Sequence, residues 1–104
     1  MNIQLKKGVL EMCVLLMLSN SEYYGYELVS NISKNVSISE GTIYPLLKRL
    51  RDEGYVTTYL QESTIGPARK YYKITDLGKS TKNEMIEEWT KISNWVNKIK
   101  EEQK

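Results

Sequence analysis

Residues 39–75 read SEGTIYPLLKRLRDEGYVTTYLQESTIGPARKYYKIT, and their pattern decides the fold. The segment opens with a serine and apolar residues at helical spacing, then gives two β-rich runs on either side of Gly66-Pro67. Helix, strand, polar loop and strand in this order form the second half of a winged helix. Such a unit pairs one helix of groove-filling size with one basic hairpin, and proteins use both parts on duplex DNA.

The helix of this segment, the third in the chain, is predicted to start at Ser39, whose hydroxyl is expected to satisfy an amide of the first turn. Gly54 is placed to end it in a left-handed conformation. Pro45 falls in the second turn and removes an amide donor, so it predicts an irregular start or a kink. The helical spacing predicts a buried face formed by Ile43, Leu46, Leu47 and Leu50.

Two strands are predicted to follow. Tyr55–Gln61 is rich in β-branched and aromatic residues, and Arg69–Thr75 alternates with the period of a strand. The loop Glu62–Ala68 between them is too long for a tight turn. The sequence therefore predicts a mainly α protein with one small β-hairpin, the wing.

A second helix is predicted before this segment, from Tyr23 or Tyr24 through Ile32. The polar residues 31–37 interrupt its pattern. Gly25 lies in its first turn, where a small residue allows a close approach of another element.

The first and last helices are predicted to join two copies of the chain. The first covers roughly Gln4–Leu18 and is apolar on two sides, so one side needs a partner outside its own domain. The last begins at a cap, Thr75 or Asp76, and runs to about Lys100 with apolar residues at alternating steps of four and three. Because no other element is left to cover this seam, we expect a homodimer. The predicted interface residues are Leu5, Val9, Met85, Ile92, Val96 and Ile99.

The length, net charge and residue counts of the chain limit its possible functions. At 104 residues with a net charge of +2, the chain is one small and only mildly basic domain, so the distribution of charge has to identify its partners. The absence of histidine and the single cysteine, Cys13, give no metal site, no disulfide and nothing that nominates a cofactor or an enzymatic reaction. The apolar run Val9–Leu18 is too short to span a bilayer. We therefore expect a cytoplasmic protein without a membrane partner.

The third helix and the hairpin together favour double-stranded DNA as the partner. The helix face opposite the leucines has long cations, which an ordinary solvated helix would also show. The hairpin has two further cations at the base of its Gly-Pro loop, where a wing would meet a phosphate strand or the minor groove. The alternative is a winged-helix module that binds protein and never touches DNA. The predicted DNA contacts are Tyr24, Tyr26, Thr42, Tyr44, Lys48, Arg49, Pro67, Arg69 and Lys70.

Trp89 is a candidate for binding a small molecule. A tryptophan in a helical seam is usually core, but indole is bulky for such a seam, and two copies at a dimer centre could leave a flat apolar slot. A planar aromatic compound could stack there, against an adaptable methionine of the first helix. The predicted ligand-binding residues are Met12, Leu16, Ile86, Trp89 and Ser93.

The chain resembles the PadR family of bacterial transcriptional regulators. The matching pieces are GVLEMCVLLML (8–18), YYGYEL (23–28), GTIYPLLKRLRDEG (41–54), ARKYYKITDLGK (68–79) and a tryptophan in the last helix. The resemblance implies a homodimeric repressor with a winged helix-turn-helix in residues 1–75 and a C-terminal dimerisation helix in 76–104. It also explains Pro45, which belongs to the family's pattern in this helix. The single C-terminal helix looks like the shorter branch of the family, some members of which bind flat multidrug-type compounds against tryptophans.

Overall fold

The computed structural model describes the backbone of residues 3–103 and the side chains of residues 7–103. Leu5, a predicted interface residue, therefore lies outside the described side chains. The mainly α fold with a small wing is confirmed. The elements in chain order are α1 (Ile3–Asn20), β1 (Tyr23–Tyr24), α2 (Gly25–Val36), α3 (Glu40–Asp52), β2 (Val56–Gln61), β3 (Arg69–Ile74) and α4 (Asp76–Glu102).

One hydrophobic core lies between the first three helices and the sheet. Leu15 of α1, Leu28 of α2 and Leu47 of α3 are each 0% exposed and meet in this core. The predicted inner face of α3 is confirmed, since Ile43, Leu46, Leu47 and Leu50 are all buried. Burial of this one stripe fixes which faces of α3 remain at the surface.

The sheet has three antiparallel strands in the order β1-β3-β2, so the prediction of a two-stranded hairpin was incomplete. Tyr23 and Tyr24 are extended and pair with Tyr72 and Tyr71, whereas the sequence placed them at the start of the second helix. Two residues are too few to show a strand periodicity, and only the ladder with β3 holds them extended. The helix begins at Gly25, which packs against the Tyr72 ring as its predicted close approach requires.

The ends of α2 and α3 differ from prediction in two details. The second helix continues to Val36 and ends at Ser37 in a left-handed conformation, past the predicted stop at Ile32. The side chain of Ser39 makes no capping bond to the backbone; its hydroxyl lies 3.0 Å from that of Thr42. The first turn of α3 is instead closed through the Ser39 carbonyl, which accepts from the Thr42 amide at 3.0 Å.

The long helix α4 is fastened to the body at its first turn. The Thr75 hydroxyl oxygen accepts a bond from the Gly78 amide at 3.0 Å, which confirms Thr75 as a cap. The same hydroxyl donates to the Gly54 carbonyl at 2.6 Å. Gly54 itself has φ +84°, as predicted for the residue that ends the third helix.

Beyond this anchor α4 extends well past the body of the domain. Its 27 residues span about 40 Å, and the molecule is 60 Å along its longest axis. The radius of gyration is 15.8 Å, against about 13 Å for a compact chain of this length. Within the described part of α4, Gly78 is the one buried residue, and Met85 packs half-buried against the core. The rest of the apolar seam is exposed in the single chain, at Trp89, Ile92, Val96 and Ile99.

Candidate nucleic-acid interface

The recognition-sized helix α3 has two flanks on either side of its buried stripe. One flank faces the wing and the other faces α1. Because residues seven apart lie on the same side of a helix, Tyr44 and Arg51 share the wing flank. Arg49 and Thr42 lie on the α1 flank, where they border a shallow cleft with Glu11. The two flanks differ sharply in charge.

The wing flank forms a basic cleft between α3 and β3 of about 170 Å³. Three cations line it: Lys48 and Arg51 from α3 and Lys70 from β3. Its remaining lining residues are Tyr44, Leu47 and Tyr72. Cations from two elements converge here because α3 packs by its leucines onto the sheet while β3 presents Lys70 at its exposed end. We call this site the α3–β3 cleft.

The partners of these cations leave them accessible. Lys48 Nζ lies 2.9 Å from Asp52 Oδ2 on the next turn, and this bond lowers the pKa of the Asp52 carboxyl below its usual range. Both side chains are more than half exposed, so the pair contributes little and a phosphate can compete for Lys48. Within residues 7–103, Arg51 makes no ion pair shorter than 4.0 Å. Lys70 Nζ lies 5.8 Å from the centroid of the Tyr72 ring, in cation–π geometry.

Tyr72 forms the inner wall of the α3–β3 cleft. Its side chain is buried, and this burial raises the pKa of the phenol above its ordinary value, so the ring is neutral at physiological pH. A neutral phenol can donate or accept a hydrogen bond without adding negative charge. Three cationic side chains and two tyrosines therefore line the cleft.

On the α1 flank, Arg49 is paired with carboxylates, and Lys7 of α1 also lines the cleft there. The Arg49 guanidinium forms an ion pair with Glu11 of α1 and a second with Glu53 at 3.2 Å. Arg49, which the sequence predicted as a DNA contact, is therefore engaged within the protein. Thr42 lies on the same flank and its hydroxyl is within hydrogen-bonding distance of Ser39.

At the base of the wing, four tyrosines and an arginine form a second cluster. Arg69 lies over the Tyr24 ring at 5.1 Å, and Tyr24 contacts both Tyr26 and Tyr71. Tyr59 stacks on Tyr71 with ring centroids 5.6 Å apart and donates a hydrogen bond to Glu22. The Glu22 carboxylate raises the pKa of the Tyr59 phenol. This cluster braces the start of α2 against the wing and leaves Tyr26 exposed.

The structure thus separates the nine predicted DNA contacts into groups. Tyr44, Lys48 and Lys70 converge on the α3–β3 cleft, and Tyr24, Tyr26 and Arg69 meet at the tyrosine cluster. Pro67 is exposed in the wing loop. Arg51 and Tyr72 also line the cleft but are absent from the predicted DNA contacts. The seven-residue spacing of Arg51 from Tyr44 could have placed Arg51 on the same side of α3. The position of Tyr72, in contrast, depends on the strand register.

A separate apolar groove runs between α1 and α4, with a volume of about 410 Å³. It brings together the predicted residues Met12 and Trp89, and also Val9, Met85 and Ile92. Its other lining residues are Gly8 and two acids, Glu11 and Glu88. Leu16, Ile86 and Ser93, also predicted for a ligand, do not line it in the single chain. Val96 and Ile99 lie further along α4, where both are exposed.

Within residues 3–103, no helix combines the length and apolar character needed to cross a membrane. The same residues contain no group of three or more cysteine, aspartate or glutamate side chains placed to hold a metal ion.

Comparison with known proteins gives consistent matches. The sequence model that represents the transcriptional regulator PadR-like family matches residues 14–84 of this chain. A crystal structure of a PadR-like transcriptional regulator from Bacillus cereus is 44% identical, with a TM-score of 0.83 over 92% of this chain and 95% of that one. The negative transcriptional regulator PadR of Bacillus subtilis is 35% identical over 68% of this chain and 41% of its own length. A crystal structure of Bacillus subtilis PadR in complex with operator DNA is 30% identical, with a TM-score of 0.66 over 75% of this chain and 46% of that one.

Proposed function

Because the chain belongs to the PadR-like family of transcriptional regulators, we propose that it represses transcription by binding an operator as a homodimer. Residues 1–75 would form the DNA-binding unit and 76–104 the dimerisation helix. The operator would be pseudo-palindromic, with half-sites about 10 base pairs apart, so that two copies of α3 enter successive major grooves. Such a protein acts in the cytoplasm, where a bacterial chromosome lies.

The α3–β3 cleft is the observation that supports DNA most strongly. Lys48, Arg51 and Lys70 converge from two elements on one cleft, whereas Arg49 on the opposite flank of α3 is paired with two carboxylates. This asymmetry directs a duplex toward the side of α3 that faces the wing. Phosphate contacts at the cleft would fix the register of the protein, and Tyr44 at its rim would approach base edges. The known Bacillus subtilis complex with operator DNA supports the same kind of partner.

The uncovered seam of α4 supports the homodimer. Ile92 is 58% exposed and Trp95 66% exposed, which is unusual for large apolar side chains that share one helix. The groove between α1 and α4 continues this apolar surface onto Val9 and Met12. A second copy of the same two helices would cover both stretches at once, through a twofold interface in which equivalent surfaces meet.

The effector would be a planar aromatic molecule in the groove beside Trp89. Trp89 is partly exposed and offers a face for stacking, while Met12 and Met85 supply flexible apolar contacts. Among the described side chains, the charged residues that line the groove are Glu11 and Glu88, which would repel a negatively charged compound. Such a ligand changes DNA binding only by its difference in affinity for two spacings of the dimer.

A selection of bound sequences from a random duplex pool tests this function. The proposal expects an enriched site with two related half-sites about one helical turn apart, bound with an affinity that falls steeply with salt. Recovery of no consensus, with no salt-dependent binding to any duplex, would favour the protein-interaction alternative. In that case the exposed apolar residues of the wing, Leu60 and Ile65, would be the first surface to examine.

A further inference from the structure

Glu11 contacts both the groove between α1 and α4 and the proposed DNA-binding helix α3. Its side chain is only 16% exposed, and it lines the groove between α1 and α4. The same carboxylate forms the ion pair with Arg49 on α3. Glu11 is therefore the charged residue through which the groove contacts α3.

Among the side chains of residues 7–103, this is the one ion pair that connects α1 with α3, and apolar residues of both helices also meet in the core. Leucines on the inner face of α3 hold it to the core, and such contacts are non-directional. An arginine–carboxylate pair is directional and holds both side chains in one geometry. Since the Glu11 carboxylate is largely withdrawn from water, leaving it without Arg49 would be costly. The α1 flank of α3 is thus set at a fixed place on α1.

We propose that the Glu11–Arg49 ion pair sets the orientation of α3 on α1, and with it the separation of the two copies of α3 in the dimer. Arg49 is then a positioning residue and not a phosphate ligand. The inference rests on the proposed homodimer, in which α1 contributes to the interface and any change in the α1–α3 angle appears twice. A molecule bound in the groove would touch the Glu11 carboxylate and could therefore change the orientation of α3.

The charge change makes the test discriminating. Removing a carboxylate from a DNA-binding protein raises its net positive charge, so electrostatics alone expects Glu11→Gln to bind DNA more tightly. If Glu11 acts by positioning α3, the Glu11→Gln variant should instead bind the two-half-site duplex obtained by selection more weakly, by about threefold or more. Glu53→Gln is the matched control, because it removes the same charge from the same arginine but lies on α3 itself. That variant should bind equally well or more tightly.

A duplex with a single half-site separates this inference from the proposed function. Both variants should bind the half-site at least as well as the unmodified protein does, since spacing does not matter there. Loss of binding to both duplexes by Glu11→Gln would show a defect other than spacing and overturn the inference. Failure of the unmodified protein to bind any duplex would count against the proposed function instead.

Spin-label distances test the same inference without DNA. Asp52→Cys in a Cys13→Ser background places one label on each α3 of the dimer, and pulsed electron resonance measures their separation. Adding Glu11→Gln should shift or broaden the distance distribution, whereas adding Glu53→Gln should leave it unchanged. If the distance distribution of the Glu11→Gln variant is the same as that of the labelled protein without this substitution, the proposal is overturned, whatever the DNA results.

Discussion

Gly78 lies so close to the backbone of Tyr55 that a β-carbon built on it would stand 2.1 Å from the Tyr55 carbonyl oxygen. The same β-carbon would lie 2.7 Å from a side-chain carbon of Ile74. The first turn of α4 therefore packs directly against the backbone that follows α3. Because the first clash is with backbone, no rotamer change can relieve it.

Gly78→Ala should therefore destabilise the protein by about 2 kcal/mol or more, the upper part of the range for overpacking. Gly41→Ala is the matched control, since the nearest atom to its β-carbon would be 3.9 Å away, and it should be neutral or stabilising by up to about 1 kcal/mol. Urea unfolding of the two variants measures both free energies. Equal stability would mean that α4 does not pack as closely as described.

Thr75 provides a second, milder test of how α4 is anchored. Its hydroxyl caps the helix through the Gly78 amide and also donates to the Gly54 carbonyl. Thr75→Ala should lower the free energy of unfolding by about 1 kcal/mol, while Thr75→Ser, which keeps the hydroxyl, should lose much less. If the two variants unfold at the same urea concentration, the hydroxyl has no role in stability.

Neighbouring residues on α4 offer a test of the homodimer. Ile92 lies on the apolar seam, whereas Lys91 is highly exposed and pairs with Glu87 on the polar face. Ile92→Glu should raise the dimer dissociation constant at least tenfold, because it buries an unpaired charge in the interface. Lys91→Glu should leave it within about threefold. Analytical ultracentrifugation over a concentration series distinguishes these results, and a dissociation constant unaffected by Ile92→Glu would move the interface elsewhere.

The buried Tyr72 phenol predicts a loss of stability at alkaline pH. Its pKa is raised in the folded protein above the ordinary 10.0, so below that pH both states hold the proton and its contribution is fully present. As the pH rises past 10.0, the unfolded chain releases the proton while the folded chain retains it, and stability falls. Tyr72→Phe should reduce this decline by at most one proton, about 1.4 kcal/mol per pH unit. Urea unfolding of both proteins from pH 8 to 11 gives the slopes, and parallel slopes would contradict the shift.

The parts of the fold that depend on local pattern were predictable. The inner face of α3 and the left-handed Gly54 follow from spacing and residue type alone. Residue type also narrowed the cap of α4 to Thr75 or Asp76, and the structure shows that it is Thr75. The strand at Tyr23–Tyr24 was not predictable, because two residues have no periodicity and only pairing with β3 makes them a strand.

The sequence identifies the cations near the candidate site but not which of them face the cleft and which are paired within the protein. The sequence shows Lys48, Arg49 and Arg51 together on one helix and cannot tell which of them is neutralised. The partner of Arg49 is Glu11, on a different helix, so its engagement depends on how α1 packs against α3. The role of Lys70 likewise depends on the strand register that aligns it with the α3–β3 cleft.

The salt dependence of operator affinity tests the central claim most directly, namely that the α3–β3 cleft binds DNA phosphate. Each lost phosphate contact should reduce the slope of log affinity against log salt concentration by about 0.9. Because a homodimer carries each substitution twice, Arg51→Ala and Lys70→Ala should each weaken binding and reduce the slope by about 1.8, whereas Arg49→Ala should leave the slope unchanged. A full slope in both cleft variants, or a reduced slope in Arg49→Ala alone, would contradict it.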